Sequence, residues 1–213
     1  MSSIAIVANG QFPRREYPLY LLEKADRIIC CDGALASLVK RGISPDVVVG
    51  DLDSVSPSVL RSFKGTVVRD PDQETNDLTK AIKYILKNFP DVSAISILGA
   101  SGKSEAHTIA NYSLLMQYER DFGFGARGIE LQMVSDYSTA FSIGDSCELF
   151  LGKGRRISIF SPDSTLRIKS EGLEWKTDGV VFDNWWKASL NSCCEDRIKL
   201  QLNHPAMVLI ILD

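Results

Sequence analysis

Histidine is scarce in this sequence, and its cysteines lack the spacing of a metal site. Two histidines occur, and the five cysteines include the adjacent pairs Cys30-Cys31 and Cys193-Cys194 without any CxxC pattern. Zinc sites and disulfide frameworks need such spacings or an even set of paired cysteines. The pattern therefore argues against both and predicts free, buried thiols.

Long apolar stretches and a basic amino terminus are lacking as well. The longest apolar run, from Ala206 to Leu212, is far shorter than the roughly 20 residues that a membrane-spanning helix needs. The first ten residues, MSSIAIVANG, contain no basic segment, which predicts that there is no signal peptide. We therefore expect a soluble, cytoplasmic protein without a membrane partner.

An excess of positive charge is also missing. Lysine and arginine number 24 against 27 aspartates and glutamates, which gives a net charge of -3, and no basic run occurs. Nucleic-acid binding proteins need a concentrated basic surface, so a nucleic-acid partner is not expected. The 45% hydrophobic content of the 213 residues is enough for one large domain or two small ones.

The first part of the chain alternates short apolar runs with segments of helical period. The runs are SIAIVA, RIICC, DVVVG, TVVRD and VSAISILG, beginning at Ser3, Arg27, Asp46, Thr66 and Val92. After Asn76, apolar residues recur at the spacing of one helix face, and Ser56-Pro57 has the form of a helix start. This pattern predicts an α/β fold with a mainly parallel sheet and flanking helices.

The pattern changes after a helix that is predicted to begin near Ser104. Short, mostly alternating segments follow: STAFSI, CELFLG, RRISIFS, TLRIKS, GVVF, RIKLQL and AMVLIIL. Several short strands separated by turn residues predict a smaller antiparallel β-sandwich or barrel. We place the boundary near residue 144, which gives domains of residues 1–144 and 145–213.

Two carboxylates, Asp51 and Asp53, follow the apolar run VVVG directly. In an extended backbone, residues two apart lie roughly 6.6 Å apart and point to the same side. At the carboxyl end of a parallel strand, such a pair suits Mg²⁺, which takes carboxylates, water and substrate phosphates as ligands. The alternative is an exposed acidic turn that caps the next helix through Ser54 or Ser56.

A second acidic cluster follows the next predicted strand, in the sequence RDPDQETNDLTKA. Some of its carboxylates are explained by the helix dipole. Asp77 lies beyond the candidate cap residues on the polar side, where it could be a third metal ligand. Gln73, Asn76 and Lys80 could bind phosphate beside it.

The third feature is a glycine-rich turn in ILGASGKSEAH, between a predicted strand and a helix. A P-loop would require glycine where Ile97 stands, so that motif is excluded. A turn of this kind can still bind an anion through backbone N–H groups. The candidate residues are Gly99, Ser101, Gly102 and Lys103, and the alternative is an ordinary strand-to-helix connection.

The motifs GDLDS, DQETNDLTKA and GASGKSEAH, in this order and each after a strand, resemble those of the thiamin pyrophosphokinase family. CDGA at Cys31 to Ala34 and the closing NHPAMVLIILD are also similar to elements of that family. The resemblance spans nearly the whole chain. It implies an α/β catalytic domain that binds ATP and Mg²⁺, a β domain that binds thiamin, and a homodimer with active sites between subunits.

The resemblance also implies an activity and residue roles. The activity is transfer of the diphosphate of ATP to the hydroxyl of thiamin, which gives thiamin diphosphate and AMP. The implied catalytic residues are Asp51, Asp53, Asp77 and Gln73, and the three aspartates are also the implied metal ligands. The implied nucleotide-binding residues are Asp32, Ser54, Asn76, Lys80, Gly99, Ser101, Gly102, Lys103 and His107. Ser189 and Asn191 are a looser counterpart of the Ser-Asn pair that binds thiamin, and Trp175, Trp185 and Trp186 are candidates to stack on its rings.

The sequence departs from the family pattern in the third motif. The family reads G-R-x-D-H there, and Ser104 and Ala106 stand in place of the arginine and the aspartate. One alternative is therefore a catalytically impaired homologue that binds thiamin or a nucleotide. Another is a haloacid-dehalogenase-like phosphatase, because DLDSV satisfies D-x-D-x-[TV] with Asp51 as nucleophile. In that class the motif follows the first strand, whereas two predicted strand-helix units precede it here.

Overall fold

The computed structural model of the chain describes residues 2–213, which divide into two compact units. The first unit comprises residues 2–109 and 129–136, and the second comprises 110–128 and 137–213. The predicted boundary near residue 144 lies in the second unit, in the turn between its first two strands. In residues 2–213, no helix is both long and apolar enough to cross a membrane.

The first unit is an α/β structure with a parallel sheet. Its strands are β1 (Ser2–Val7), β2 (Arg27–Cys31), β3 (Val47–Gly50), β4 (Thr66–Arg69), β5 (Val92–Leu98) and β6 (Glu130–Val134). They lie in the order β6-β5-β1-β2-β3-β4, and each neighbouring pair is parallel. The predicted mainly parallel sheet is confirmed.

The order of the strands in this sheet reverses at β1. From β1 the chain proceeds through β2, β3 and β4 on one side, and β5 and β6 lie on the other side of β1. In open parallel sheets, ligands bind beyond the carboxyl ends of the strands, next to the point where the order reverses. The loops that follow β1 and β5 flank that point here.

The helices of the first unit cover the sheet as the apolar periodicity predicts. They are α1 (Glu16–Lys24), α2 (Leu35–Lys40), α3 (Pro57–Ser62) and α4 (Asp77–Asn88), and α5 (Glu105–Phe122) begins in this unit. In α4, Leu78, Ala81, Ile82 and Ile85 are buried. The Asn76 side chain accepts a hydrogen bond from the Thr79 N–H at 2.8 Å and so caps the first turn of α4.

The second unit contains antiparallel strands in two layers. The strands are β7 (Thr139–Ile143), β8 (Cys147–Phe150), β9 (Arg156–Phe160), β10 (Ile168–Glu171), β11 (Asn191–Ser192), β12 (Arg197–Leu202) and β13 (Val208–Leu212). One layer has the order β11-β9-β13-β7 and the other β10-β12-β8. Side chains from both layers, among them Ile159, Leu200 and Ile210, share one buried core. The predicted antiparallel strands are confirmed.

Three local predictions differ from the structure. The segment GVVF is not a strand but precedes a 3₁₀ turn at Trp185–Ala188. Strand β6 was not predicted, because Glu130 and Gln132 interrupt the apolar residues of its sequence ELQMV. The cysteines are free as predicted, but Cys147 is only half-buried and Cys194 is exposed.

Candidate active site

Parallel pairing brings the ends of β2 and β3 together, and each strand is followed by an aspartate. Cys31 pairs with Val49, so Asp32 and Asp51 leave the sheet at the same edge. One carboxylate oxygen from each of Asp32, Asp51 and Asp53 lies within 4.8 Å of the others. We call these three residues the carboxylate cluster.

Asp51 and Asp53 approach each other through a turn and not through strand geometry. Strand β3 ends at Gly50, and Leu52 has a left-handed backbone with a φ of 68°. The Asp53 N–H donates to Asp51 Oδ1 at 3.3 Å. The two side chains lie close together, as predicted. The predicted cause, an extended backbone, is wrong. A left-handed leucine is uncommon, and such strain is concentrated at functional sites.

Asp32 is the most buried member of the carboxylate cluster, with 1% of its surface exposed. Its Oδ2 accepts a long hydrogen bond of 3.4 Å from the Ser54 N–H, and no donor among residues 2–213 reaches its buried Oδ1. Burial, together with the neighbouring Asp51, raises the pKa of Asp32. A buried carboxylate oxygen without a donor, beside two other carboxylates, fits a divalent cation with oxygen ligands.

Asp77, the predicted third metal ligand, lies next to the carboxylate cluster but is paired with a lysine. A Cβ atom on Gly50 would lie 3.2 Å from Asp77 Oδ1, which places this carboxylate at the end of β3. Lys80 Nζ lies 3.4 Å from the same oxygen. Burial raises the pKa of Asp77, and Lys80 acts in the opposite direction.

Lys80 is buried, with 4% of its surface exposed, although the sequence pattern places it away from the apolar stripe of α4. Its ammonium group is the cation that faces Asp77. A buried ammonium is stable only beside negative charge, so Lys80 belongs to the acidic site rather than to the solvated helix face.

Gln73 and Ser54 complete the surroundings of the carboxylate cluster. The Gln73 Nε2 donates to Asp51 Oδ2 at 3.0 Å, and this bond is the main reason that the pKa of Asp51 is lowered. Ser54 Oγ donates to Asp53 Oδ1 at 2.9 Å. Gln73 therefore favours the ionised form of Asp51 that a cation requires, and Ser54 orients the Asp53 carboxylate.

The glycine-rich turn at Gly99–Lys103, which we call the β5 turn, follows strand β5 as predicted. Gly99 and Gly102 have φ angles of 65° and 92°, which favour glycine. Ser104, in the position of the family arginine, caps α5, because its Oγ accepts from the His107 N–H at 3.3 Å. His107 is exposed on the first turn of α5. Within residues 2–213, no described hydrogen bond joins its side chain to the carboxylate cluster.

The loop that faces the β5 turn was not predicted from the sequence. Lys103 Nζ donates to the backbone oxygen of Asn9 at 3.0 Å and to its Oδ1 at 3.2 Å. Asn9 is the second residue after β1. The signal in the sequence was a polar residue just after the strand beside the reversal of strand order.

In the second unit, Ser189 and Asn191 line a cavity of about 130 Å³. Trp175, Lys176, Thr177, Val180, Lys187 and Ala188 complete its lining. Asn191 Nδ2 donates to the Trp175 oxygen at 2.6 Å, and its Oδ1 accepts from the Trp175 N–H at 3.2 Å. Leu190, between the two predicted residues, has a left-handed φ of 57°. Asn191 therefore fixes the backbone of an exposed tryptophan at the cavity.

Replacement of Gly50 by alanine should disturb the site sterically. An added Cβ would lie 2.6 Å from Asp32 Cβ and 3.3 Å from Asp77 Cγ, so both carboxylates must move. We expect Gly50→Ala to reduce the free energy of unfolding by about 1–3 kcal/mol, as overpacking does, and to weaken divalent cation binding. Urea unfolding and calorimetric Mg²⁺ titration measure the two effects. Gly179→Ala is the control, since nothing lies within 4 Å of its added Cβ, and equal behaviour of both variants would contradict the crowding described for Gly50.

Comparison with known proteins decides the family. A sequence model of the thiamin pyrophosphokinase catalytic domain matches residues 19–123. A model of the thiamin pyrophosphokinase substrate-binding domain matches residues 141–209. The two matches follow one another and together span most of the chain. The chain belongs to the thiamin pyrophosphokinase family.

Curated members of the thiamin pyrophosphokinase family match part of the chain. Thiamine pyrophosphokinase 3 of Oryza sativa subsp. japonica is 32% identical over 133 residues, which cover 52% of this chain and 49% of that protein. Thiamine pyrophosphokinase 1 of Arabidopsis thaliana is 32% identical over 136 residues, which cover 53% of this chain and 50% of that protein. The chain spans about half the length of these curated relatives.

The fold of the family is matched over nearly the whole chain. The crystal structure of thiamine pyrophosphokinase from Bacillus subtilis superposes with a TM-score of 0.76 and covers 99% of this chain and 98% of that one. The sequence identity is 18%, so this similarity supports the fold alone. The α/β unit and the antiparallel unit of this chain are thus arrangements that the family uses.

Proposed function

We propose that the chain transfers the diphosphate group of ATP to the hydroxyl of thiamin, giving thiamin diphosphate and AMP. The observation that supports this proposal best is the carboxylate cluster, in which the buried Asp32 has an oxygen that no donor among residues 2–213 satisfies. Such a cluster suits the magnesium complex of a polyphosphate. The two thiamin pyrophosphokinase domains supply the identity of the two substrates.

Transfer of a diphosphate group requires alignment of the reacting atoms and stabilisation of negative charge. The hydroxyl oxygen of thiamin forms a bond to the β-phosphorus of ATP, and the bond from that phosphorus to the oxygen bridging to the α-phosphorus breaks. AMP leaves with the bridging oxygen. Bound Mg²⁺ would supply neutralisation of the phosphate charge and orientation of the phosphate oxygens.

Different residues of the first unit would bind the cation and accept the proton of the attacking hydroxyl. Asp32, Asp51 and Asp53 would hold the cation, and Gln73 keeps Asp51 oriented through its 3.0 Å hydrogen bond. We assign Asp77, which lies beside them, to accept the proton of the attacking hydroxyl, with Lys80 holding that carboxylate in place. The ligand set thus differs from the one implied by the resemblance, because Asp32 replaces Asp77 in it.

The nucleotide would lie over the β5 turn. The N–H groups of Gly99 and Ser101, together with the ammonium of Lys103, form a surface suited to phosphate oxygens. The N–H of Gly102, also a predicted contact, donates to Thr108 Oγ1 at 3.3 Å. Ser54, Asn76 and His107 remain predicted contacts of the nucleotide.

The thiamin rings would bind at the cavity of the second unit. Trp175, which is 59% exposed, offers a flat apolar face there, and Ser189 and Asn191 line the same cavity. Aromatic rings pack favourably on such a face. The resemblance to the family implies a homodimer with active sites between subunits, and we propose that assembly here. Light scattering at micromolar concentration tests this, and a fully active monomer would exclude it.

A turnover assay with ATP and thiamin, with and without Mg²⁺, tests the proposed function. We expect AMP and thiamin diphosphate in equal amounts, and only when a divalent cation is present. Binding of thiamin and ATP without AMP formation would instead indicate the impaired homologue, in which Ser104 serves only as a helix cap. Release of inorganic phosphate from ATP without AMP would support the phosphatase alternative, against which the position of Asp51 after the third strand already argues.

A further inference from the structure

The loop after β1, residues Ala8 to Gln11, is held against the β5 turn by backbone hydrogen bonds. The Ala8 N–H donates to the Leu98 oxygen at 2.8 Å, and the Gly10 N–H donates to the Gly99 oxygen at 2.6 Å. The Gln11 N–H donates to the Ser101 oxygen at 2.7 Å. We call this segment the β1 loop. Its backbone therefore has a fixed position relative to the β5 turn.

Two more hydrogen bonds fix the far end of the connection to α1. Asp136, which follows β6, accepts from the Arg14 N–H at 2.7 Å and from the Arg15 N–H at 2.9 Å through its Oδ1. The chain is thus anchored on both sides of the few residues that separate the β1 loop from α1. An anchored loop can hold a side chain in one orientation at small entropic cost.

The side chains of Asn9 and Gln11 both reach the β5 turn from the β1 loop, and Asn9 is the one that contacts Lys103. The Lys103 ammonium donates to the backbone oxygen and to the Oδ1 of Asn9, at 3.0 and 3.2 Å. An ammonium group has three donors, so one N–H remains for another acceptor. Both acceptors are neutral, and the positive charge of Lys103 is therefore not cancelled by these contacts.

The other side of the Asn9 amide lies against Gly33, the residue after Asp32 of the carboxylate cluster. A Cβ on Gly33 would lie 2.8 Å from Asn9 Cγ, closer than real Cβ atoms come. Asn9 therefore packs on the Gly33 backbone and occupies the space between the end of β2 and Lys103. This places Asn9 between the acidic part of the site and its cationic part.

We propose that Asn9 is a positioning residue that holds the Lys103 ammonium for contact with the phosphate chain of the nucleotide. The proposal deepens the proposed function and rests on it for the identity of the anion. Lys103 contacts the phosphate, whereas Asn9 acts through Lys103. The position of both residues beside the reversal of strand order, where parallel sheets bind ligands, supports this assignment.

A double-mutant cycle on ATP binding tests the coupling. Calorimetry with Mg²⁺-ATP, without thiamin, requires no turnover, so its result stands even if no AMP is ever formed. We expect Lys103→Met to weaken binding by about 10-fold or more, the scale of one hydrogen bond to a charged group, and Asn9→Ala to weaken it in the same direction. The combined variant should bind no more weakly than Lys103→Met alone. Additive losses, or unchanged affinity in Lys103→Met, would overturn the proposal.

The rate at which the lysine amines are chemically labelled is a second test. This rate should not change for Lys103 if Asn9 only supports the fold. With an acylating reagent and mass spectrometry, Asn9→Ala should increase the labelling rate of Lys103 several-fold relative to Lys87 in the same sample. Gly33→Ala, which forces the amide of Asn9 to move, should do the same. Asn88→Ala and Gly179→Ala are the matched controls and should leave the ratio unchanged. An unchanged ratio in Asn9→Ala would show that Asn9 does not hold Lys103.

Discussion

Asp51→Asn should reduce diphosphate transfer by at least about 100-fold, since even residues that only support metal ligands contribute 10–100-fold. Asp51 belongs to the carboxylate cluster and is held there by Gln73. The amide removes one negative charge and one ligand oxygen. Because Asp51 is partly exposed and the amide still offers one acceptor, the melting temperature should change by only a few degrees. The measurement is the initial rate of AMP formation with saturating ATP and thiamin.

Asp91→Asn is the control for this change, because it removes the same charge from an exposed position before β5. We expect full activity from it. A second informative variant is Gln73→Ala, which leaves all carboxylates in place but removes the donor to Asp51. Its loss should be smaller than that of Asp51→Asn and should be reduced at high Mg²⁺ concentration. Undiminished turnover in Asp51→Asn would refute its role in the site.

Asp32→Asn should change stability and activity in opposite directions. The Asp32 carboxylate is buried, its Oδ1 has no donor among residues 2–213, and Asp51 lies beside it. In the absence of a divalent cation, a neutral amide that can donate to Asp51 removes an unfavourable buried charge. We expect the melting temperature in EDTA to rise by about 2–4 °C, which corresponds to roughly 1 kcal/mol for a protein of this size. Diphosphate transfer should be lost at the same time.

Melting temperatures with and without Mg²⁺ distinguish a role of Asp32 in cation binding from a general effect of the substitution on folding. The wild-type protein should be stabilised by Mg²⁺ with nucleotide, because a ligand that binds only the folded state raises its stability. Asp32→Asn should lose most of that increment, whereas Asp91→Asn should keep it. A melting temperature for Asp32→Asn that falls in EDTA would mean that the carboxylate is satisfied in the free protein.

Much of the first unit could be predicted because its sequence carries strong local signals. Runs of β-branched residues such as VVVG predict buried parallel strands, and the stripe that contains Leu78, Ile82 and Ile85 predicts α4. The same strands predict which end of the sheet collects polar residues. Strand β6 could not be found in this way, since Glu130 and Gln132 interrupt its apolar residues and its burial depends on the neighbouring strand β5.

The candidate site was predictable in its location but not in its internal geometry. The sequence indicates that Asp51 and Asp53 follow a strand, but the left-handed Leu52 that turns them toward Asp32 is a tertiary feature. A leucine offers no local reason for that conformation. Similarly, the ion pair with Lys80 sets Asp77 apart from the other carboxylates, and this pairing depends on burial that the periodicity of α4 does not reveal.

The contact between the β1 loop and the β5 turn could not be predicted for a different reason. Asn9 and Lys103 are separated by 94 positions along the chain and meet only because β1 and β5 are neighbouring strands. Their pairing needed the strand order, which single-sequence patterns do not provide. Asn191 and Trp175 in the second unit are only 16 positions apart, but their contact joins β11 to a segment without regular structure, which strand patterns do not predict.

The most direct test of the account is the location of a bound divalent cation. Crystals of the protein with Mn²⁺, which replaces Mg²⁺ at oxygen ligands, and a non-hydrolysable ATP analogue should be measured at the manganese absorption edge. If the carboxylate cluster binds the cation, an anomalous peak lies between Asp32, Asp51 and Asp53, at roughly 2.0–2.3 Å from the carboxylate oxygens, with phosphate oxygens completing the ligand set. A bound nucleotide whose manganese ion lies away from all three carboxylates would contradict it.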